Sequence, residues 1–78
     1  MRRTSARVDE AALDAALSSG RGTPRERMAW HLEAAALREG QPDEAAFHRT
    51  HAMVHALEAG NWAEAERLRG LLAAEGRA

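Results

Sequence analysis

The sequence predicts an all-α protein of three to four helices arranged as antiparallel helical hairpins, a small bundle. Strand signals are nearly absent, because the chain has two Val, no Ile or Tyr, and no run of alternating apolar and polar residues. Ala, Leu, Glu and Arg, which favour helices, dominate the composition. Gly20, Gly40 and Gly60 each follow a helical pattern, as a left-handed C-terminal cap would. One helical domain is therefore expected over residues 1–78.

The first helix is expected over residues 6–19, after a basic arm at residues 1–6. Arg2, Arg3 and the following Arg7 could contact phosphates, but no aromatic residue is interleaved with them and no recognition-helix pattern follows. We therefore expect a flexible terminus and no binding of nucleic acid.

The remaining helices are expected over residues 24–39, 42–59 and 61–75, because each of these segments begins with helix-start signals. The signals are the N-caps Thr23 and Asn61, the first-turn prolines Pro24 and Pro42, and the N3 carboxylates Glu26, Glu44 and Glu64. The connections between these helices are short, and short connections make neighbouring helices antiparallel.

The last hairpin carries a family resemblance, in the segment ALEAGNWAEAERLRGLL. It resembles the centre of a tetratricopeptide repeat, where Gly-x-aromatic-x-Glu-Ala joins two helices. The matching residues are Gly60, Trp62, Glu64 and Ala65. GQPDEA is similar to the connection that leads into such a repeat, although Pro42 lies one place early. The resemblance covers about residues 42–75 and implies an interaction module of packed helix pairs. The usual Trp-x-x-Leu-Gly start and a second unit at a period of about 34 residues are missing.

Helical periodicity predicts a core stripe on each helix. The expected core residues are Leu13, Ala16 and Leu17 in the first helix, Ala46, Phe47, Met53, Val54 and Leu57 in the third, and Trp62, Ala65, Leu68 and Leu72 in the fourth. Since Phe47, Val54 and Leu57 fall within one arc of the third helix, this arc is expected to face the protein interior.

The second helix differs because it is apolar on two sides. One stripe consists of Met28, Leu32, Ala35 and Ala36. Trp30 and Leu37 lie on nearly the opposite side, and such a helix is either central in its own fold or shared with another chain. We expect a homo-oligomer in which Trp30 and Leu37 are the apolar anchors and dimerisation completes the bundle. The alternative is that both side chains contact the first helix.

The third helix also carries a row of histidines. His48, His51 and His55 are spaced i, i+3, i+7, and Glu44 lies one turn earlier. Since the i, i+4 spacing of His51 and His55 is typical of helical zinc sites, these residues form a candidate site for Zn²⁺ or another divalent transition metal. His31 joins them if this face turns toward the second helix. The alternatives are a pH-sensitive interface or an ordinary solvated surface opposite the expected core.

Composition restricts the remaining functions. The chain has a net charge of −1 and a pI near 6.4, which disfavours electrostatic binding of nucleic acid. The absence of Cys excludes disulfides and thiolate ligands. No apolar segment predicts a signal peptide or a membrane span, so a cytoplasmic location is expected. The 19 Ala and 11 Arg without Lys indicate the coding bias of a GC-rich bacterial genome.

No nucleophile elbow, phosphate loop or paired-carboxylate motif is present, so catalytic activity is not expected. Two hypotheses follow from the sequence. The leading hypothesis is a small helical module for protein–protein interaction or oligomerisation. The alternative is a metal-binding protein that uses the histidines of the third helix.

Overall fold

The computed structural model describes residues 10–77, and within this range the chain forms helices and no strands. The helices are α1 (Glu10–Ser18), α2 (Pro24–Leu37), α3 (Pro42–Glu58) and α4 (Trp62–Ala74). The all-α fold predicted from the sequence is confirmed, and the ends of α2, α3 and α4 lie within two residues of those expected. The basic arm at residues 1–6 and the expected start of the first helix lie outside the described residues.

Side-chain caps begin α2 and α4 as predicted. The Thr23 hydroxyl accepts the backbone N–H of Glu26 at 3.1 Å, and the Glu26 carboxylate accepts the backbone N–H of Thr23 at 2.9 Å. These two bonds form a complete capping box. At the start of α4, the Asn61 side-chain oxygen accepts the backbone N–H of Glu64 at 3.2 Å. Both caps therefore satisfy N–H groups that have no partner inside the helix.

The turns after the helices are closed in two different ways. Gly20 and Gly60 have φ values of 70° and 75°, as expected for left-handed caps, whereas Gly40 has no positive φ. The prediction for Gly40 is wrong because the turn after α2 closes by a bond from the Gln41 N–H to the Arg38 carbonyl at 2.8 Å. Such an i to i+3 turn needs no left-handed residue.

Gly60 and Gly40 give a matched pair of substitutions. Gly60→Ala is expected to lower the free energy of unfolding by about 1–2 kcal/mol, because a Cβ is unfavourable in the left-handed region. Gly40→Ala is expected to raise it by about 0.5 kcal/mol, because the alanine restricts the unfolded chain without strain. Neither added Cβ meets another atom within 4 Å, so the comparison isolates backbone conformation. Urea denaturation measures the free energy of unfolding of both variants. Equal changes in that free energy would contradict the difference between the two turns.

The helices pack in chain order, α1 on α2, α2 on α3 and α3 on α4. Ten apolar residues of the described chain are fully buried, and seven of them are alanines. They are Leu13, Ala34, Ala35, Ala45, Ala46, Ala52, Ala56, Ala65, Leu68 and Leu72. Because a methyl group is the whole side chain at most of these positions, the helix backbones can approach closely.

The core stripe predicted for α3 is largely wrong. Phe47 is 56% exposed, Val54 42% and Leu57 44%. The helix instead buries the alanines that lie between α2 and α4, Ala45, Ala46, Ala52 and Ala56. Of the predicted stripe, only Ala46 is buried and Met53 is half-buried. Since α3 packs against both α2 and α4, it buries its face of small residues, because large side chains there would hold the neighbouring helices apart.

The stripes predicted for α4 and α1 are partly confirmed. In α4 the residues Ala65, Leu68 and Leu72 are buried, but Trp62 is 67% exposed. In α1 Leu13 is buried, while Ala16 and Leu17 are half-buried. Trp62 is the first residue of α4, and its indole lies at the border of the α3–α4 contact, beside Met53 and Leu57.

Ion pairs connect neighbouring helices. Arg38, just after α2, pairs with Glu10 of α1 at 3.1 Å and with Glu44 of α3 at 3.2 Å. Arg49 of α3 pairs with Glu75, just after α4, at 3.2 Å. The Arg38 pairs therefore join three successive helices.

None of the helices in residues 10–77 combines the length and apolar character that crossing a membrane requires.

The alanine contacts can be tested by overpacking. Ala52 is 0% exposed, so Ala52→Leu is expected to lower the free energy of unfolding by about 1–3 kcal/mol, because the larger side chain separates α2 and α3. Ala29→Leu on the exposed face of α2 is the control and should change stability by less than about 0.5 kcal/mol. Chemical denaturation followed by circular dichroism compares them. A well-tolerated Ala52→Leu would contradict tight packing at this position.

Candidate functional site

All four histidines of the chain lie together between α2 and α3. The ring centroid of His31, on α2, lies 5.3 Å from that of His48, 5.0 Å from that of His51 and 5.5 Å from that of His55. We call these four residues the histidine cluster. His31 is its centre, since it contacts each ring that α3 contributes.

The local packing of α2 explains the position of His31. His31 lies one helical turn before Ala34 and Ala35, so these three residues share one face of α2, and both alanines are buried. On α3, Ala52 and Ala56 are buried beside His48 and His55. The alanine contact between the helices therefore brings the imidazoles on its border within contact distance.

The sequence left open whether the histidine row of α3 is a solvated surface or faces α2, and the burial of its side chains answers this. His48 is half-buried, and only 16% of the His55 side chain is exposed, whereas His51 is exposed. The interpretation of the row as an ordinary solvated surface is therefore wrong for two of its three residues. Since the α3 stripe that was expected to be buried is exposed, the histidine face turns toward α2 and His31 joins the cluster.

Hydrogen bonds fix part of the cluster. The Nδ1 atoms of His31 and His48 are 3.0 Å apart, so one ring donates its N–H and the other accepts it as the opposite tautomer. The Nδ1 atom of His55 lies 2.8 Å from a carboxylate oxygen of Glu58. When that nitrogen donates to Glu58, the Nε2 lone pair of His55 is free to accept or to ligate.

The cluster has an apolar border and an open border. The Phe47 ring packs against His51 and His48, with centroid distances of 4.4 and 5.1 Å. On the other border, a cavity of about 290 Å³ adjoins His31 and His55. Its remaining lining residues are Ala16, Leu17, Gly20, Arg21, Arg27 and Trp30. The cluster is thus shielded by Phe47 and reached from the α1–α2 side.

Burial and mutual proximity affect the protonation of the cluster. Burial, with the neighbouring His51, His48 and His55, lowers the pKa of His31 to about 4. Burial, with Arg38 and His51, also lowers the pKa of His48, although Glu44 and Asp14 oppose that change. His31 is therefore neutral near pH 7, the form in which an imidazole nitrogen can accept a hydrogen bond or bind a metal.

The other predicted ligand, Glu44, is placed differently. Its carboxylate pairs with Arg38 at 3.2 Å and lies near His48 without bonding to it. Within residues 10–77, no group of three or more His, Asp or Glu side chains is arranged to hold a metal ion as the rings stand. The near-parallel rings of His31, His51 and His55, 19° apart, face one another instead of converging on one point.

The predicted anchors Trp30 and Leu37 are both half-buried. The Trp30 indole packs on Gly22, where an added Cβ would lie 2.7 Å from the ring. Trp30 also lines the cavity that it shares with Ala16 and Leu17 of α1. Its surroundings agree with the alternative that it contacts the first helix, and a role for either side chain in association stays a prediction.

Of the five large exposed apolar side chains in the described chain, four lie on the outer face of α3 and at the start of α4, and the fifth is Leu71. On α3 they follow the row Phe47, Thr50, Val54 and Leu57, which we call the α3 seam. Trp62 extends it, and a shallow cavity of about 210 Å³ lies between Met53, Leu57, Trp62 and Ala65. Phe47, Val54, Leu57 and Trp62 were expected in the core from helical periodicity and are exposed. The contacts of Phe47 and Glu58 with the histidines were not expected from the sequence.

Comparison with known protein families, curated proteins and solved structures finds no match for this chain. The tetratricopeptide resemblance of residues 42–75 therefore stays a prediction. Function has to be inferred from the geometry of the chain itself.

Lowering the pH from 7 to 5 is expected to destabilise the fold through His31. The pKa of His31 is about 4 in the folded chain, whereas an unperturbed histidine, as in the unfolded chain, has a pKa of 6.5. Between pH 7 and pH 5 the unfolded chain therefore binds a proton at His31 and the folded chain does not. The stability associated with the neutral ring is complete above pH 6.5 and is lost as the pH falls toward 4. Because the ring is partly solvated, the expected loss is about 1 kcal/mol.

Denaturation curves of the wild type and of His31→Gln at pH 7 and pH 5 measure this effect. The variant lacks the titrating ring, while every carboxylate is retained. It should therefore lose less stability than the wild type over the same interval. An identical loss in both proteins would show that His31 is not responsible.

Proposed function

We propose that the protein is a helical interaction module that self-associates by packing the α3 seam against the same seam of a second copy. The observation that carries this proposal is the inversion of side-chain size across α3. The buried face of the helix consists of alanines, whereas Phe47, Val54 and Leu57 are 42–56% exposed. A surface of this kind is stabilised when another apolar surface covers it.

The spacing along the seam supports a helical partner. Phe47, Thr50, Val54 and Leu57 are separated by three, four and three residues, the a and d spacing at which two helices pack knobs into holes. Thr50 is a weak point in an otherwise apolar row, and its hydroxyl donates to the Ala46 carbonyl at 2.9 Å. That bond reduces the cost of covering the threonine.

A second copy is the simplest partner for such a row. In a twofold dimer the same patch serves both sides, so one seam meets an identical seam. Trp62 lies beyond Leu57 at the end of the row and is 67% exposed. An antiparallel copy would bring the partner's seam toward this indole, and large aromatic side chains are typical energetic centres of interfaces.

The proposal is tested by the mass of the chain in solution. Sedimentation equilibrium at about 100 µM, well above micromolar dissociation constants, should give twice the 8.5 kDa of one chain. The double substitution Val54→Asp and Leu57→Asp should give a monomer, because buried carboxylates without partners oppose association. Its helix content should be unchanged, since both residues are exposed in the single chain.

The control is Leu71→Asp, which places one carboxylate on another exposed apolar position, 41% exposed on α4. This variant should remain a dimer. A dimer lost in Leu71→Asp but kept in the double variant would assign association to the groove beside Leu32 and Leu71. A dimer lost only on truncation of Trp30 and Leu37 would favour those residues as anchors. A monomeric wild type would contradict self-association altogether.

A further inference from the structure

We propose that His31, His48, His51 and His55 form a binding site for one Zn²⁺ ion, with His31 as the ligand that joins α2 to α3. None of the four histidines belongs to the α3 seam, so the site goes beyond the proposed self-association, although Phe47 of the seam packs against His48 and His51. It differs from a chelate made by α3 alone, because it needs imidazoles from two helices.

The first support is the distance between the rings. In a tetrahedral site with Zn–N bonds of about 2.0–2.1 Å, two imidazole ring centroids lie about 5 Å apart. The three centroid distances from His31 are 5.0, 5.3 and 5.5 Å. The backbones of α2 and α3 therefore already hold His31 at the separation from each α3 imidazole that a shared ion requires.

The second support is the contact between His31 and His48. Their Nδ1 atoms, 3.0 Å apart, share one proton between two neutral rings. An ion that binds both lone pairs replaces this hydrogen bond, and the displaced proton is carried on the Nε2 atom of the same ring. The two nitrogens then separate by a few tenths of an ångström, and both rings stay neutral.

The third support is the carboxylate behind His55. Glu58 lies 2.8 Å from its Nδ1 atom, and a ligating histidine commonly donates its second ring N–H to a carboxylate. This contact directs Nε2 of His55 away from Glu58. An exposed carboxylate that holds one imidazole nitrogen in this way favours the tautomer needed for metal binding.

Ion binding requires the rings to turn, since those of His31, His51 and His55 are near parallel. The torsion between Cβ and the imidazole is broad and roughly two-fold, so this rotation needs no movement of the helices. The cavity beside His31 and His55, about 290 Å³ in volume, leaves room for it and for the entry of a hydrated ion.

Calorimetric titration of the whole chain with Zn²⁺ at pH 7.4 tests the site. One ion should bind per chain, and a concentration of 100 times Kd should raise Tm by about 10 °C or more. His31→Gln and His48→Gln should each weaken binding by at least about 100-fold, since even the loss of an outer-shell partner weakens binding by 10- to 100-fold. The control Glu33→Gln, on the exposed face of α2, should bind as the wild type does.

Three results would overturn the proposal. Unchanged affinity in His31→Gln and His48→Gln would assign the ion to a surface chelate of His51 and His55. A Tm that does not respond to Zn²⁺ would exclude binding to the folded chain. The wild type gives a readout that does not depend on the folding of any variant, because Co²⁺ in a tetrahedral histidine site absorbs strongly in the visible. A weak, octahedral spectrum would contradict the four-histidine site.

Discussion

Close contact between α2 and α3 through alanine side chains is the constraint on which the rest of the structure depends. Ala34 and Ala35 of α2 and Ala52 and Ala56 of α3 are at most 3% exposed. Methyl groups contribute little apolar area each, so stability at this interface depends on how closely the backbones approach and not on large buried side chains. The chain therefore has a narrow core for its size, and the ion pairs of Arg38 support it at one end.

Two consequences follow from this contact. Side chains that border the alanines are brought together, which gathers the three α3 imidazoles around His31 and lowers its pKa. Side chains on the far side of α3 are only partly covered within the described chain, which leaves Phe47 and Leu57 about half exposed. Because α3 buries its alanine face, the histidine cluster forms beside that face and the α3 seam remains on the opposite side of the helix. Phe47 belongs to the seam and also packs against His51 of the cluster.

The helices were predictable because their signals are local. Thr23 and Asn61 act as caps through hydrogen bonds to residues three positions away, and these signals can be read without knowledge of the tertiary fold. The orientation of α3 was not predictable in the same way. Hydrophobicity favours burial of Phe47, Val54 and Leu57, but contact with α2 and α4 on two sides favours small side chains. That preference depends on tertiary packing, as does the ring contact between His31 and residues 17 to 24 positions away.

The most direct test of this account is the nuclear Overhauser spectrum of the imidazole protons, with histidine and phenylalanine selectively labelled. Centroid distances of 5.0–5.5 Å predict cross-peaks from His31 to the rings of His48, His51 and His55, and from Phe47 to His51. If α3 instead buried its large apolar side chains, Phe47 would show cross-peaks to the core leucines Leu68 and Leu72, and His31 would show none to the other histidines. That second pattern would contradict the alanine contact and everything inferred from it.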